Sequence, residues 1–299
     1  MKHVVLITGS STGIGFLTAQ RLAQAGATVY ASMRELPGRN RPHAAALREF
    51  AEANHLAIVP LELDVTSDAS VAAAVEVIRQ REGQLDVLVN NAGIWGPGMM
   101  EAFTMKQWQH YFDTNFFGCI RTLKAVLPLM RQQQRGLVVT LSSLQARFVL
   151  PYGGPNLATK WALDAATEAF KYELAPFGVE FSIVEPFDIL TEMKHKAPQY
   201  QSADQAVIDQ YGAPTWEYIR QAYLTPDATR AGDPHTVAEA VAQIMAAPVG
   251  SRPLRVTVQS PFPQIEQINQ LQAEMQAALF NWMGLTHLLT PAVEAPATN

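Results

Sequence analysis

The chain has 299 residues, 48% hydrophobic and 16% charged, enough to bury a large core around one main domain. A net charge of −5 with no basic cluster gives no electrostatic case for a nucleic-acid partner. The lone Cys119 excludes an internal disulfide, no apolar run is long enough for a bilayer, and a strand at the very start leaves no signal peptide, so a cytoplasmic protein without a membrane partner is expected.

The first element is the apolar run 3–8, which suits a central parallel strand covered on both faces. It runs into a turn reading TGSSTGIG over 8–15, and from Gly13 onward apolar residues recur at helical spacing until Gly26. Strand, glycine turn and helix together point to a pyrophosphate site: missing Cβ atoms let backbone N–H groups and the helix N-terminus approach the anion. Further strand-like runs follow at 28–32, 57–63, 85–90, 136–142, 179–185 and 254–258. Helical patterns separate them near 43–55, 67–82, 104–134, 155–175 and 234–247. The alternation predicts an α/β fold, a doubly wound parallel sheet of the Rossmann type with seven strands and helices on both faces. Residues 186–230 break the rhythm with Pro198, Pro214, Pro226 and several aromatics, and read as a lid over a ligand. The main domain is placed at 1–260; residues 261–299 form a C-terminal extension, an amphipathic helix over 263–289 and a frayed tail over 291–299. The seven histidines show no metal-ligand spacing, so no metal is expected.

With these motifs in order over about residues 1–260, the chain resembles the classical short-chain dehydrogenases/reductases. The turn supplies Gly9, Ser11, Gly13, Ile14 and Gly15. LDV at 63–65 matches the segment whose Asp64 meets the adenine, with Val65 beside it. Asn90–Gly93 reads NNAG, so the resemblance implies cofactor contacts from Asn91, Ala92 and Gly93. It also implies catalytic roles for Asn115, Ser143 and Lys160, and cofactor contacts from Lys160, Pro186 and Thr191.

The end of the second strand bears on cofactor choice. Enzymes that use NAD place a carboxylate there for the ribose hydroxyls, whereas NADP needs a cation. Here no acid precedes Arg34, which can grip a 2′-phosphate through two parallel hydrogen bonds, with Arg39 and Arg41 in reserve. NADP(H) is the expected cofactor, NAD(H) the alternative.

Two positions depart from the family pattern. The tyrosine that moves the oxygen-bound proton belongs four residues before Lys160, where the sequence has Asn156. A carboxamide donates hydrogen bonds but transfers no proton at neutral pH. The family's Pro-Gly after the sixth strand reads Pro186-Phe187, and a phenylalanine ring there either stacks on the nicotinamide or fills part of its space. Three functions remain open: an NADP(H)-dependent carbonyl reductase or alcohol dehydrogenase with Tyr152 or water as substitute acid; a non-redox cyclase, isomerase or lyase that keeps the nucleotide; and an inactive or regulatory protein. Trp95, Met99, Phe148, Tyr152 and Trp216 suggest a hydrophobic or aromatic small-molecule substrate. Helices 104–134 and 155–175 carry apolar residues beyond one core stripe (Phe116, Phe117, Leu123, Leu127; Trp161, Leu163, Phe170, Leu174), and a homodimer or homotetramer is expected.

Overall fold

The computed structural model describes residues 2–225 and 231–292. Strand β1 (Val4–Ile7) leads into α1 (Gly13–Gln24), then β2 (Thr28–Met33), α2 (Arg41–Ala53), β3 (Ala57–Glu62), α3 (Asp68–Glu82) and β4 (Val87–Asn90). Next come α4 (Met105–Phe112), α5 (Gly118–Gln133), β5 (Gly136–Leu141), α6 (Pro155–Leu174) and β6 (Val179–Pro186). The chain continues through α7 (Met193–Lys196), α8 (Gln205–Ile219), α9 (Pro234–Ala246), β7 (Arg255–Val258) and α10 (Gln264–Met283).

The seven strands form one parallel sheet in the order β3-β2-β1-β4-β5-β6-β7. Alternation within β1 explains the layers. Val5 and Ile7 face one side, packing with Leu22, Leu47, Val241 and Ile244 from α1, α2 and α9. Leu6 faces the other with Val71, Ile78, Val126 and Leu127 from α3 and α5. The order reverses between β1 and β4, so a crevice opens at their carboxyl ends, where such sheets bind ligands.

Two elements differ from the sequence expectation. The long helix over 104–134 is broken by one wide π-type turn, Asp113–Phe117, which holds Asn115. Segment 186–225 is largely helical rather than open: α7 passes through a 3-10 turn (Ala197–Tyr200) towards α8, which kinks at Gly212 (φ 78°) ahead of Pro214. Ile219 of α8 is buried against Met99 and Ala102, with Tyr152 and Trp216 beside them. Pro226 and the part of the expected tail from 293 onward lie outside the described residues. Among the described residues, no helix is long and apolar enough to cross a membrane, and no cluster of three His, Cys, Asp or Glu could hold a metal.

Candidate active site

The crevice at the switch point is a cavity of about 320 Å³. Its walls include Gly9, Ser11, Gly13, Ile14, Arg34, Asp64, Val65, Asn91, Ala92, Gly93 and Thr191, all read from the sequence as cofactor contacts, while Gly15, Lys160 and Pro186 are not part of them. The floor is locked from below: Asn91 Nδ2 donates to the carbonyls of Thr8 (2.8 Å) and Gly9 (3.0 Å), and Thr8 Oγ1 accepts from the N–H groups of Asn91 and Ala92. Packing is so close that a Cβ on Gly15 would stand 2.5 Å from Asn91 Nδ2, and one on Gly9 (φ +71°) 2.8 Å from Ala92 Cα. Only glycine fits either place. Asp64 turns its Oδ1 inward to Thr66 N (2.9 Å) and Oγ1 (2.8 Å), which holds the loop after β3 at the cavity rim.

A nicotinamide dinucleotide fits these groups. The first-turn N–H groups of α1 face the crevice, and Thr12 at its N-cap makes no side-chain cap. Two buried donors, Thr114 Oγ1 and Trp95 Nε1, line the walls with no partner among the described residues. Cations gather at the rim: Arg34, Arg39 and, unforeseen from sequence, Lys196, whose Nζ donates to Thr12 Oγ1 at 2.7 Å. Burial holds the Lys196 ammonium below its usual range; Glu192 acts against that shift, and Arg39 and Arg34 add to it. The nearby acid Glu62 is not free for a ribose, because its two oxygens accept from the N–H groups of Glu35 (2.9 Å) and Leu36 (2.6 Å).

Beyond this cavity the expected catalytic residues form a dense polar cluster. Asn156 is buried in the first turn of α6, which begins at Pro155 after Gly154 (φ +68°). Asn115 Nδ2 donates to Asn156 Oδ1 (3.1 Å) and to Thr159 Oγ1 (3.2 Å), and Asn156 Nδ2 donates to Gln145 Oε1 (3.0 Å). Lys160 Nζ donates to the Leu141 carbonyl at 2.7 Å, and burial lowers its pKa against the pull of Cys119 and Asp164. The Asn115 amide is engaged by Asn156, Thr159 and the Ile94 backbone. Among the described residues Ser143 Oγ accepts only from Gln145 N (3.2 Å), whereas Ser142 Oγ points inward and donates to Asp164 Oδ1.

The structure does not bring Tyr152 into this cluster. Its φ is +62°, its ring packs edge-on against Tyr218 at 5.9 Å, and no hydrogen bond joins it to Ser143, Asn156 or Lys160. A role as nearby substitute acid finds no support in that placement. Phe187 likewise departs from expectation. Its ring is taken up by Phe148 (5.8 Å) and Phe262 (5.7 Å) in an edge-on trio, and it does not line the nucleotide cavity. Pro186 ends β6 paired with Val258, set back from the cavity wall. Of the apolar candidates, Trp95 lines the cavity, while Met99 and Tyr152 cluster with Trp216 of α8.

Under the cluster lies a buried ion network that sequence reasoning missed. Arg147 bridges Asp164 (2.9 Å) and Glu185 (2.6 Å), and Arg255 holds Glu168 (2.6 Å), with all five side chains nearly or fully buried. Three carboxyls face two guanidiniums, and burial pushes Asp164 up to about 7. Asn269 and Gln272 of α10 reach into the same network, which ties the C-terminal helix to the loop after Ser143. No spacing rule links such distant charges, and the composition gives no sign of them.

Residues 3–202 match the family described as short chain dehydrogenase. The chain is 37% identical over 189 residues to a 3-ketodihydrosphingosine reductase of Bacteroides thetaiotaomicron, covering 63% of this chain and 65% of that protein. It is 36% identical over 226 residues to human retinol dehydrogenase 8, covering 74% of this chain and 70% of the relative. The solved structure of an alcohol dehydrogenase from Thermococcus sibiricus, complexed with 5-hydroxy-NADP, superposes with a TM-score of 0.70 at 25% identity, covering 86% of this chain and 96% of that one. With a family match over two thirds of the sequence and a seven-stranded parallel sheet behind the glycine turn, the chain belongs to the short-chain dehydrogenase family of oxidoreductases.

Proposed function

We propose that the chain binds NADP(H) in the crevice and uses it on the carbonyl or alcohol of a hydrophobic small molecule. A bound nicotinamide supplies or accepts the hydride. The observation that carries the cofactor half is the rim of Arg34, Arg39 and Lys196 around the cavity, with Glu62 at the end of β3 engaged by backbone N–H groups and the lining Asp64 turned to Thr66. A phosphate on the ribose is favoured by such a rim. The activities named for the relatives, a keto-compound reductase and a retinol dehydrogenase, support the substrate half.

In this reading the Ser143 hydroxyl donates a hydrogen bond to the substrate oxygen, and the Asn91-locked glycine turn sets the depth of the dinucleotide. Lys160 keeps one N–H on Leu141 and holds positive charge beneath the ribose. Residue 156 moves no proton, so the general-acid contribution of about 10²–10⁴ in rate is missing from it. That same fact favours a second reading, a non-redox step on the retained nucleotide: Asn156 is tied at both ends by amides, as a fixed wall would be.

Titration with NADPH and NADH, then an assay of NADPH oxidation over aromatic and long-chain ketones, tests both halves. Tighter binding of NADPH and ketone-dependent oxidation are expected. NADH binding as tightly as NADPH, or no loss of NADPH affinity in Arg34→Ala, overturns the cofactor assignment. Absence of oxidation with nucleotide bound shifts the weight to the second reading.

A further inference from the structure

The amides of the polar cluster share one direction, and the backbone sets it. The Ile94 N–H donates to Asn115 Oδ1 at 2.8 Å, and Asn115 Nδ2 donates to the Ile94 carbonyl at 3.0 Å. A backbone N–H cannot accept and a carbonyl cannot donate, so these two bonds decide which end of Asn115 carries the protons. The proton-bearing end also meets Asn156, which must present Oδ1 to it. The opposite end of Asn156, Nδ2, then faces Gln145, which must present Oε1. What remains is Gln145 Nε2. It has no hydrogen bond to another described residue, and it is not among the sealed unpartnered atoms, so its two protons are open to a ligand.

Gln145 stands on the short 3-10 turn Leu144–Ala146 that follows Ser143, and its backbone N–H donates to Ser143 Oγ at 3.2 Å. That bond uses a Ser143 lone pair and leaves the hydroxyl proton free. Each amide that accepts a hydrogen bond becomes a better donor at its other end, so the run Asn115, Asn156, Gln145 strengthens the last donor.

We propose that Gln145 takes the place of the absent phenol as a donor to the substrate's carbonyl oxygen, its Nε2–H acting beside the Ser143 hydroxyl, with Asn115 and Asn156 as positioning residues that aim it. The pair is a neutral oxyanion site. It stabilises charge without giving up a proton. When hydride adds to the carbonyl carbon, the C–O π pair moves to oxygen, the two donors hold the alkoxide, and water supplies the proton. The kinetic arm of this proposal rests on the reductase reading; the binding arm does not.

The test uses the full chain with NADP⁺ and acetophenone carrying a ¹³C carbonyl, read by isotope-edited infrared spectroscopy. Gln145→Met keeps the length of the side chain and removes its donor; an unchanged NADP⁺ affinity confirms that it folds. The bound carbonyl band should lie at lower frequency in the parent protein than in Gln145→Met. With NADPH, that variant should lose roughly 10²–10³ in kcat with KM little changed. Gln145→Glu should regain activity only towards acid pH, where its carboxyl holds a proton to donate. A band at the same frequency in both proteins, or no bound band, overturns the proposal. A shifted band with no NADPH oxidation leaves Gln145 in place and removes the reductase reading. Turnover with an unmoved band does the reverse.

Discussion

Lys196 Nζ donates to Thr12 Oγ1 across 2.7 Å, joining the segment after β6 to the N-terminus of α1 on the other side of the nucleotide crevice. The ammonium thus occupies the hydroxyl at the N-cap of the helix whose first turn lines the crevice. Charge-assisted hydrogen bonds contribute about 1.5–3 kcal/mol, so Lys196→Ala is expected to weaken NADPH binding by roughly ten- to a hundredfold. Fluorescence titration reads the effect. An unchanged Kd would place Lys196 outside the cofactor site.

Asn156→Tyr should return a phenol to the turn before Lys160. Ketone-dependent NADPH oxidation is expected to rise by about 10²–10⁴, the usual worth of a general acid. The position is buried, and the larger ring displaces the bonds to Asn115 and Gln145, for a stability cost of about 1–3 kcal/mol. Asn115 keeps its Ile94 and Thr159 partners, so the loss stays moderate. Phe187 is packed with Phe148 and Phe262, hence adding Phe187→Gly should give little further gain. A folded double variant that binds NADPH and reduces no ketone refutes the reductase reading.

The buried carboxyl of Asp164, pushed up to about 7 chiefly by burial, has a consequence for pH. An unfolded aspartate titrates near ~4, so between the two values the folded protein holds a proton that the unfolded chain has lost. This group's contribution is complete below pH ~4 and falls away as pH rises towards ~7. Asp164→Asn removes that dependence. The Tm difference between variant and parent should therefore move in the variant's favour from pH 5 to pH 8; a constant difference would contradict it.

Association is the remaining expectation to test. Of the apolar residues on the two helices, Leu123, Leu127, Leu163 and Leu174 are buried within the chain's own core, while Phe117 is 48% and Trp161 44% exposed. We propose these two as the self-association surface. Phe117→Glu with Trp161→Glu should yield a monomer by light scattering where the parent is a dimer or tetramer. A parent that is already monomeric at micromolar concentration ends the idea.

Much of the scaffold was legible because its causes are local. Alternation in β1, glycines where a Cβ would collide, and Arg34 at a strand end can be read off neighbouring residues. The residues that decide the chemistry were not. Gln145 matters only because Asn156 turns an amide towards it, and Asn156 does so only because Ile94 orients Asn115. Phe187 was expected beside the nicotinamide from the Pro-Gly it replaces; its packing was hidden because its partner Phe262 arrives from far along the chain. The helices between β6 and α9 were hidden by Pro198 and Pro214, which read as breaks yet fall in a 3-10 turn and just after the kink at Gly212.

The wide turn at Asp113–Phe117 holds one residue more than a regular α-helical turn would need. That extra residue is absorbed locally, so removing it would close the turn to a regular one and leave Leu123, Val126, Leu127 and Met130 facing the sheet. What would move is the turn itself: its residues would shift by about 100° about the helix axis, and Asn115 would lose Ile94. The length of this segment is therefore tied to where Asn115 points rather than to the core, so a lineage could gain or lose that orientation through one residue while the sheet stays covered.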